Sequence, residues 1–345
     1  MTMTAKERVL AQIQHRETDY IPYTLTFESG VAERLDAYYG SDRWRGLVQN
    51  AIVRLPDAVL VVDQSSVPTY CDPYGSVWRT DRRPFHLEKP ALQADSLKDL
   101  ALPQVDALLG LTSWKAEALQ AIEQAQDHFT VIGFGLGLFE RIWALRGFDQ
   151  ALADAAADAE FYGELAARVA DHQLAIVERL LHLPVDGIMF SDDWGYQRGV
   201  LLGPQRWRRF IKPHLARMYA AVHAAGKYTL SHCCGSVVDI LPDIIEIGLD
   251  VLESVQPEAV GMNPYELKQR FGAHITFWGG LGSQSTIPFG TPAGIKTEVA
   301  RLCREMGRGG GYILAPSKAL QPETPTENAA AVVEAFLEQS GVTYP

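Results

Sequence analysis

Eight short apolar runs, each followed by a helix-like stretch, constrain the fold of this 345-residue chain more than any other feature. They are IPYTLTFE (21–28), AVLVVDQ (58–64), FTVIGFG (129–135), DGIMFSDD (186–193), KYTLSHC (227–233), LDVLESVQ (249–256), HITFWGGLG (274–282) and GGYILAPSK (310–318). β-Branched and other apolar residues fill them, as in strands buried on both faces. Between them, stretches such as DQALADAAADAEFYGELAARVADHQLAIVERLL place apolar residues at helical spacing. SVVDILPDIIEIG and TPAGIKTEVARLCREMG read as crossover helices that end at glycine. Such alternation predicts an α/β chain with a parallel sheet. Eight strands predict a closed (β/α)8 TIM barrel in preference to an open doubly wound sheet. The segment CDPYGSVWRTDRRPFHLEKPAL (71–92) breaks the pattern, and its Pro-Tyr-Gly turn predicts a β-hairpin inserted after strand two. No internal repeat or linker divides the chain, so residues 1–345 are expected to be a single domain.

Composition excludes several function classes. The net charge is −11, and no basic run exceeds DRRP or RWRRF, which argues against a nucleic-acid partner. No run of about 18 apolar residues predicts a membrane span, and MTMTAKERVL lacks the apolar core of a signal peptide, so a cytoplasmic protein is expected. The four cysteines, Cys71, Cys233, Cys234 and Cys303, do not form a disulfide framework. No G-x-G-x-x-G follows an early strand, and FGLGLFERI is a poor imitation, so no nucleotide cofactor is expected. A small-molecule substrate is the expected partner, and a homodimer is compatible with the sequence.

In a barrel of this kind the active site lies at the C-terminal ends of the strands. That rule selects Thr26 and Glu28, Asp63, Glu140 and Arg141, Asp192 and Asp193, His232 to Cys234, Glu253 and Gln256, Gln284, and Lys318. Strand alternation turns His232 and Cys234 to one face and Cys233 to the other. An imidazole and a thiolate on one face can together hold Zn²⁺. Alternatively, Cys234 is a packed residue and His232 a substrate contact, while Cys233 packs into the core. The paired carboxylates of SDDWG can supply an acid, a metal ligand or a helix cap. Asp63 and Lys318 each end an apolar run with a charge, which suits a catalytic or substrate-binding residue and also an ordinary loop start.

Over nearly its whole length the chain resembles the uroporphyrinogen decarboxylase superfamily. The resemblance is carried by KERVLAQIQHRETDYIP, SDDWGYQRGVLLGPQRWRRFIKPHLARMYAAVHAAGK, SHCCGSVVDILPDIIEIGLDVLESVQP, LKQRFGAHITFWGGLGSQ and GGGYILAPSKALQPETPTENAAAVVEAF. It implies the same barrel and two candidate chemistries. For a decarboxylase, Asp63 matches the aspartate that binds the pyrroles. The family's tyrosine falls at Arg141, its serine at Asp192 and its C-terminal histidine at Lys318, and TLTFESGVAERLDAYYG lacks the paired arginines, with Glu28 in the mouth. For the zinc methyltransferases that serve corrinoid proteins or thiols, His232 and Cys234 match the H-x-C pair. Their later cysteine falls at Lys318, so Glu253, Asp192 or Asp193 would have to complete the site; otherwise no metal binds and Lys318 holds an anion.

Methyl transfer is the favoured expectation, with Zn²⁺ on His232, Cys234 and Glu253 and a corrinoid as methyl donor. Asp63, Asp192, Asp193 and Lys318 are the expected catalytic residues, and Glu28, Arg141, Gln256 and Gln284 the expected substrate contacts. A corrinoid protein would be the macromolecular partner. A cofactor-free decarboxylase is the alternative, and a non-catalytic binding protein for a corrinoid or metabolite is the third.

Overall fold

The computed structural model describes residues 3–59, 68–81, 85–111 and 113–343. Its strands are β1 (Ile52–Arg54), β2 (Thr69–Cys71), β3 (Val77–Arg79), β4 (His86–Lys89), β5 (Phe129–Gly133) and β6 (Gly187–Ser191), followed by β7 (Gly195–Tyr196), β8 (Gly199–Val200), β9 (Tyr228–His232), β10 (Val251–Val255), β11 (Thr276–Leu281) and β12 (Tyr312–Pro316). Seven of them form one sheet in the order β1-β5-β6-β9-β10-β11-β12. Every pairing in it is parallel. Sequential order with helices between the strands is what right-handed βαβ crossovers produce.

The sheet is curled, and its two faces carry separate apolar layers. One layer gathers Ile52, Phe129, Val131, Met189, Leu230 and Val251 with Trp278, Ile313 and Ala315. The helix Ala5–Ile13 adds Val9 and Ile13 to this layer. Alternate residues, such as Ile132, Ile188, Phe190, Leu252, Phe277 and Leu314, join the larger layer beneath the helices. The period-two exchange between layers is the reason β5, β11 and β12 are buried along their whole length.

One of the eight expected runs departs from regular strand, and a second, 58–64, lies mostly outside the described residues. The segment 21–28 meets β12 through a bridge from Tyr23 to Leu314, and the loop beyond β12 through a bridge from Phe27 to Leu320. Its bonds are those of Thr24 N–H to Leu314 O, Leu314 N–H to Pro22 O and Glu28 N–H to Leu320 O. On the other side Ala51 N–H donates to Tyr23 O. Pro22 has no N–H to continue a ladder, which keeps the segment irregular. The described strand that pairs with β5 is Ile52–Arg54, while most of the expected run 58–64 lies outside the described residues. That strand is set by the register Ile52↔Phe129 to Arg54↔Val131. Of the expected run only Ala58 and Val59 are among the described residues, and both are bends.

Where a hairpin was expected, β2, β3 and β4 form a three-stranded antiparallel sheet. Asp72 organises its first turn, accepting from Tyr74 N–H, Ser76 N–H and Trp78 Nε1–H at 3.0, 2.9 and 3.0 Å. No helix among the described residues is long and apolar enough to cross a membrane.

Candidate metal centre

β9 ends at His232, and Cys234 follows two residues later with Gly235 at φ +77°. That left-handed turn favours glycine, and a side chain there would meet the backbone of Gly195 and Tyr196. The turn brings Cys234 Sγ to 3.3 Å from His232 Nε2. β6 ends one residue before Asp192, and Asp193 Oδ1 lies 3.6 Å from the same Nε2. Asp193 Oδ1 also accepts the Cys234 N–H at 2.9 Å. The ligand atoms of Asp193, His232 and Cys234 all lie within 4.8 Å of one another.

Glu253, expected as a ligand, sits behind the ring. Its Oε2 is 2.5 Å from His232 Nδ1, which leaves Nε2 facing the thiol. Burial of the ring favours its neutral form, but the Glu253 charge outweighs this and holds the imidazole well above its ordinary value. Burial likewise opposes ionisation of Glu253, and the His232 charge outweighs it, so the carboxyl is held below the usual range. The pair is a charge-assisted hydrogen bond that selects the ring's orientation and tautomer.

Asp192 faces the other way. It is buried, and its carboxylate accepts from Phe139 N–H at 3.0 Å, Glu140 N–H at 2.9 Å and Trp194 Nε1–H at 2.6 Å. These bonds tie it to the first turn of the helix Leu138–Arg146, where an anion is favoured. Gly137 permits the approach, since a Cβ there would collide with the Asp192 side chain. Burial pushes the Asp192 carboxyl up to about 7 against its three donors.

Glu140, on the same helical turn, is pushed up to about 9 by burial, with Asp192 and Asp193 adding to the shift. It is therefore a neutral acid near pH 7, close enough to His232 to be influenced by its charge. Sequence reasoning placed Glu140 at the rim without a role, because burial was not visible there.

The remaining expected residues divide by location. Lys318 is exposed and lines two cavities, of about 350 and 460 Å³. Gln256 and Gln284 line the larger cavity together with Cys234. Gln256 Oε1 accepts Gly235 N–H at 3.0 Å, and Gln284 Oε1 accepts from Gln197 Nε2 at 3.3 Å. Arg141, expected to contact substrate, is buried instead. It pairs with Asp72 at 3.3 Å and stacks 3.7 Å above the Tyr74 ring. Glu28 is half-buried and lines neither cavity. Asp63 lies outside the described residues. Cys233, one residue past the end of β9, is fully buried in the helical layer, on the side expected for it.

Among curated proteins, the methylcobamide:CoM methyltransferase MtaA of Methanosarcina barkeri is 34% identical over 135 residues, which is 39% of this chain and 37% of that protein. A uroporphyrinogen decarboxylase of Thermus thermophilus is 30% identical over 40% of this chain and 38% of its own length. The chain thus spans less than two-fifths of the length of these relatives. A uroporphyrinogen decarboxylase of Coxiella burnetii is 24% identical over 84% of this chain and 75% of that protein. Among solved structures, a methyltransferase from Methanosarcina mazei superposes with a TM-score of 0.72 at 22% identity, covering 97% of this chain and 99% of that one. It shares the fold. The family described as uroporphyrinogen decarboxylase (URO-D) matches residues 76–339, a span that contains β5 to β12, His232, Cys234 and Lys318. On that match, most of its length, the chain belongs to the uroporphyrinogen decarboxylase family.

Proposed function

We propose that this chain is a closed (β/α)8 barrel, formed as one domain, and a methyltransferase-like enzyme that holds Zn²⁺ on Asp193, His232 and Cys234. The observation that carries the reading is the convergence of one carboxylate oxygen, one imidazole nitrogen and one sulfur within 4.8 Å. One oxygen, one nitrogen and one sulfur suit a borderline-soft ion that accepts all three. When bound, Zn²⁺ would supply Lewis acidity that keeps a substrate thiol deprotonated and nucleophilic.

The chain's own residues prepare that chemistry. Glu253 keeps a proton on His232 Nδ1 and points Nε2 at the cluster. Asp193 fixes the Cys234 backbone through the Cys234 N–H. Glu140 holds a proton that it can donate to a substrate atom at neutral pH. Asp192 holds the helix that carries Glu140. A corrinoid protein is the proposed methyl donor, in keeping with the name of the MtaA relative. The cavity of about 460 Å³ beside Cys234 is the proposed acceptor site.

Metal analysis of the purified chain tests this reading. About one zinc per chain is expected, with loss in Asp193→Ala, His232→Ala and Cys234→Ala. Methylcobalamin offered with a panel of small thiols then reports transfer. A chain that takes up no zinc, or retains it in all three variants, overturns the reading. Decarboxylation is the second reading, favoured by the Coxiella relative that aligns over most of the chain. Release of CO₂ from uroporphyrinogen under anaerobic conditions would establish it.

A further inference from the structure

The cavity of about 350 Å³ at the C-terminal end of the sheet is lined unlike the rest of the site. Ile52, Trp278 and Ala315 give it apolar walls. Trp278 spends its indole N–H on Thr24 Oγ1 at 2.8 Å, so it offers the cavity only ring surface. Asn50 spends its Oδ1 on Leu25 N–H at 2.7 Å, which leaves its amide NH₂ as a donor.

Two cations line this cavity, Arg54 from the end of β1 and Lys318 from the loop after β12. Neither makes an ion pair with any described residue. The one carboxylate in the lining, Glu253, is already matched to His232. Arg54 also influences Asp57, but no ion pair forms between them. A chain of net charge −11 thus places two cations, neither ion-paired among the described residues, in a single small cavity, where the Arg54 charge also acts on Glu253.

Both cations are held on fixed backbone. Arg54 is in register with Val131 of β5. Lys318 N–H donates to Ser283 Oγ at 2.9 Å, and Ser317 N–H donates to Leu281 O at 2.9 Å. Ser317 Oγ–H in turn donates to Ser283 Oγ at 3.0 Å. A cation on a braced backbone at a cavity wall differs from a lysine on an open surface.

We propose that Arg54 and Lys318 form an anion subsite that holds a carboxylate of a small, otherwise apolar substrate. The guanidinium can bind the carboxylate through two N–H groups, and the ammonium adds a point charge. The Asn50 amide supplies a neutral donor. The subsite lies next to the metal cluster through Glu253, so it deepens the function proposed above by naming the substrate class.

The test uses the full-length chain stripped of metal, with propionate and propionamide as probes of equal size and different charge. Isothermal titration should show saturable propionate binding and at least about tenfold weaker propionamide binding. Arg54→Gln and Lys318→Gln should each weaken propionate by at least about fivefold, while Arg54→Lys keeps most of the affinity. Both side chains are exposed, so the variants should unfold at the wild-type temperature. No propionate binding, equal binding of the two probes, or unchanged affinity in both glutamine variants overturns the proposal. The probes carry no thiol and the protein no zinc. Failure of the metal reading therefore leaves this result intact, and failure of this one leaves the metal reading intact.

Discussion

Glu253 Oε2 lies 2.5 Å from His232 Nδ1, while His232 Nε2 faces Cys234 Sγ at 3.3 Å. One edge of the ring is fixed by a carboxylate and the other is left for chemistry. Glu253 therefore acts on the cluster through the ring. Glu253→Gln should lower zinc affinity by about 10- to 100-fold without abolishing binding, whereas His232→Ala should abolish it. Competition with a chromogenic chelator measures both.

Asp192 should behave differently from its neighbour. Its three donors make it a structural cap, and Asp192→Ala leaves Phe139 N–H, Glu140 N–H and the Trp194 indole without their acceptor. A loss of about 1–3 kcal/mol in urea unfolding is expected, with zinc content unchanged. Asp193→Ala should lose zinc, and in the metal-free protein it should cost less than Asp192→Ala, because it removes a single acceptor, that of the Cys234 N–H.

The buried pair Arg141–Asp72 joins the antiparallel sheet β2-β3-β4 to the helix Leu138–Arg146. Asp72→Ala leaves a guanidinium buried without its counter-charge and should cost about 3–5 kcal/mol. Arg141→Met combined with Asp72→Ala should cost less than the sum of the two single changes. A double-mutant cycle in urea measures the coupling.

His172 gives the fold a pH dependence. Burial, helped by Arg141, lowers its pKa from 6.5 to about 4, and its Nε2 lies 3.2 Å from the Tyr74 hydroxyl. The unfolded chain takes up this proton near pH 6.5 and the folded chain only near pH 4. Stability from this group is therefore complete above pH 6.5 and declines as pH falls from 6.5 towards 4. Urea unfolding at pH 7.5, 6 and 5 should show the decline, and His172→Gln should flatten it.

Six of the eight runs named from sequence are strands, because long apolar segments bounded by turns leave little alternative. The segment 21–28 and the short strand beside β5 show what pattern alone misses. In 21–28 the missing N–H of Pro22 interrupts the ladder. The described strand that pairs with β5, Ile52–Arg54, is too short and too polar at its end to register as an apolar run. For that reason Arg54 was not legible as a site residue, although the cavity it lines was expected at that end of the sheet.

The pair His232 and Cys234 followed from strand alternation, and the structure places them together. The separation of Asp192 from Asp193 did not follow, because both lie past the end of β6 and the bonds that hold Asp192 come from the helix Leu138–Arg146 and from Trp194. Arg141 illustrates the same limit. Its position after β5 suggested a ligand contact, but burial against Asp72 and Tyr74 depends on a segment distant in sequence.

The opposed directions of Asp192 and Asp193 have an evolutionary consequence. On the function proposed above, two consecutive codons would answer to different selective pressures, one set by whether the helix forms and the other by which ion is held. A lineage changing its chemistry can vary the second while the first stays fixed. The scaffold and the reaction can then diverge at different rates within a single loop.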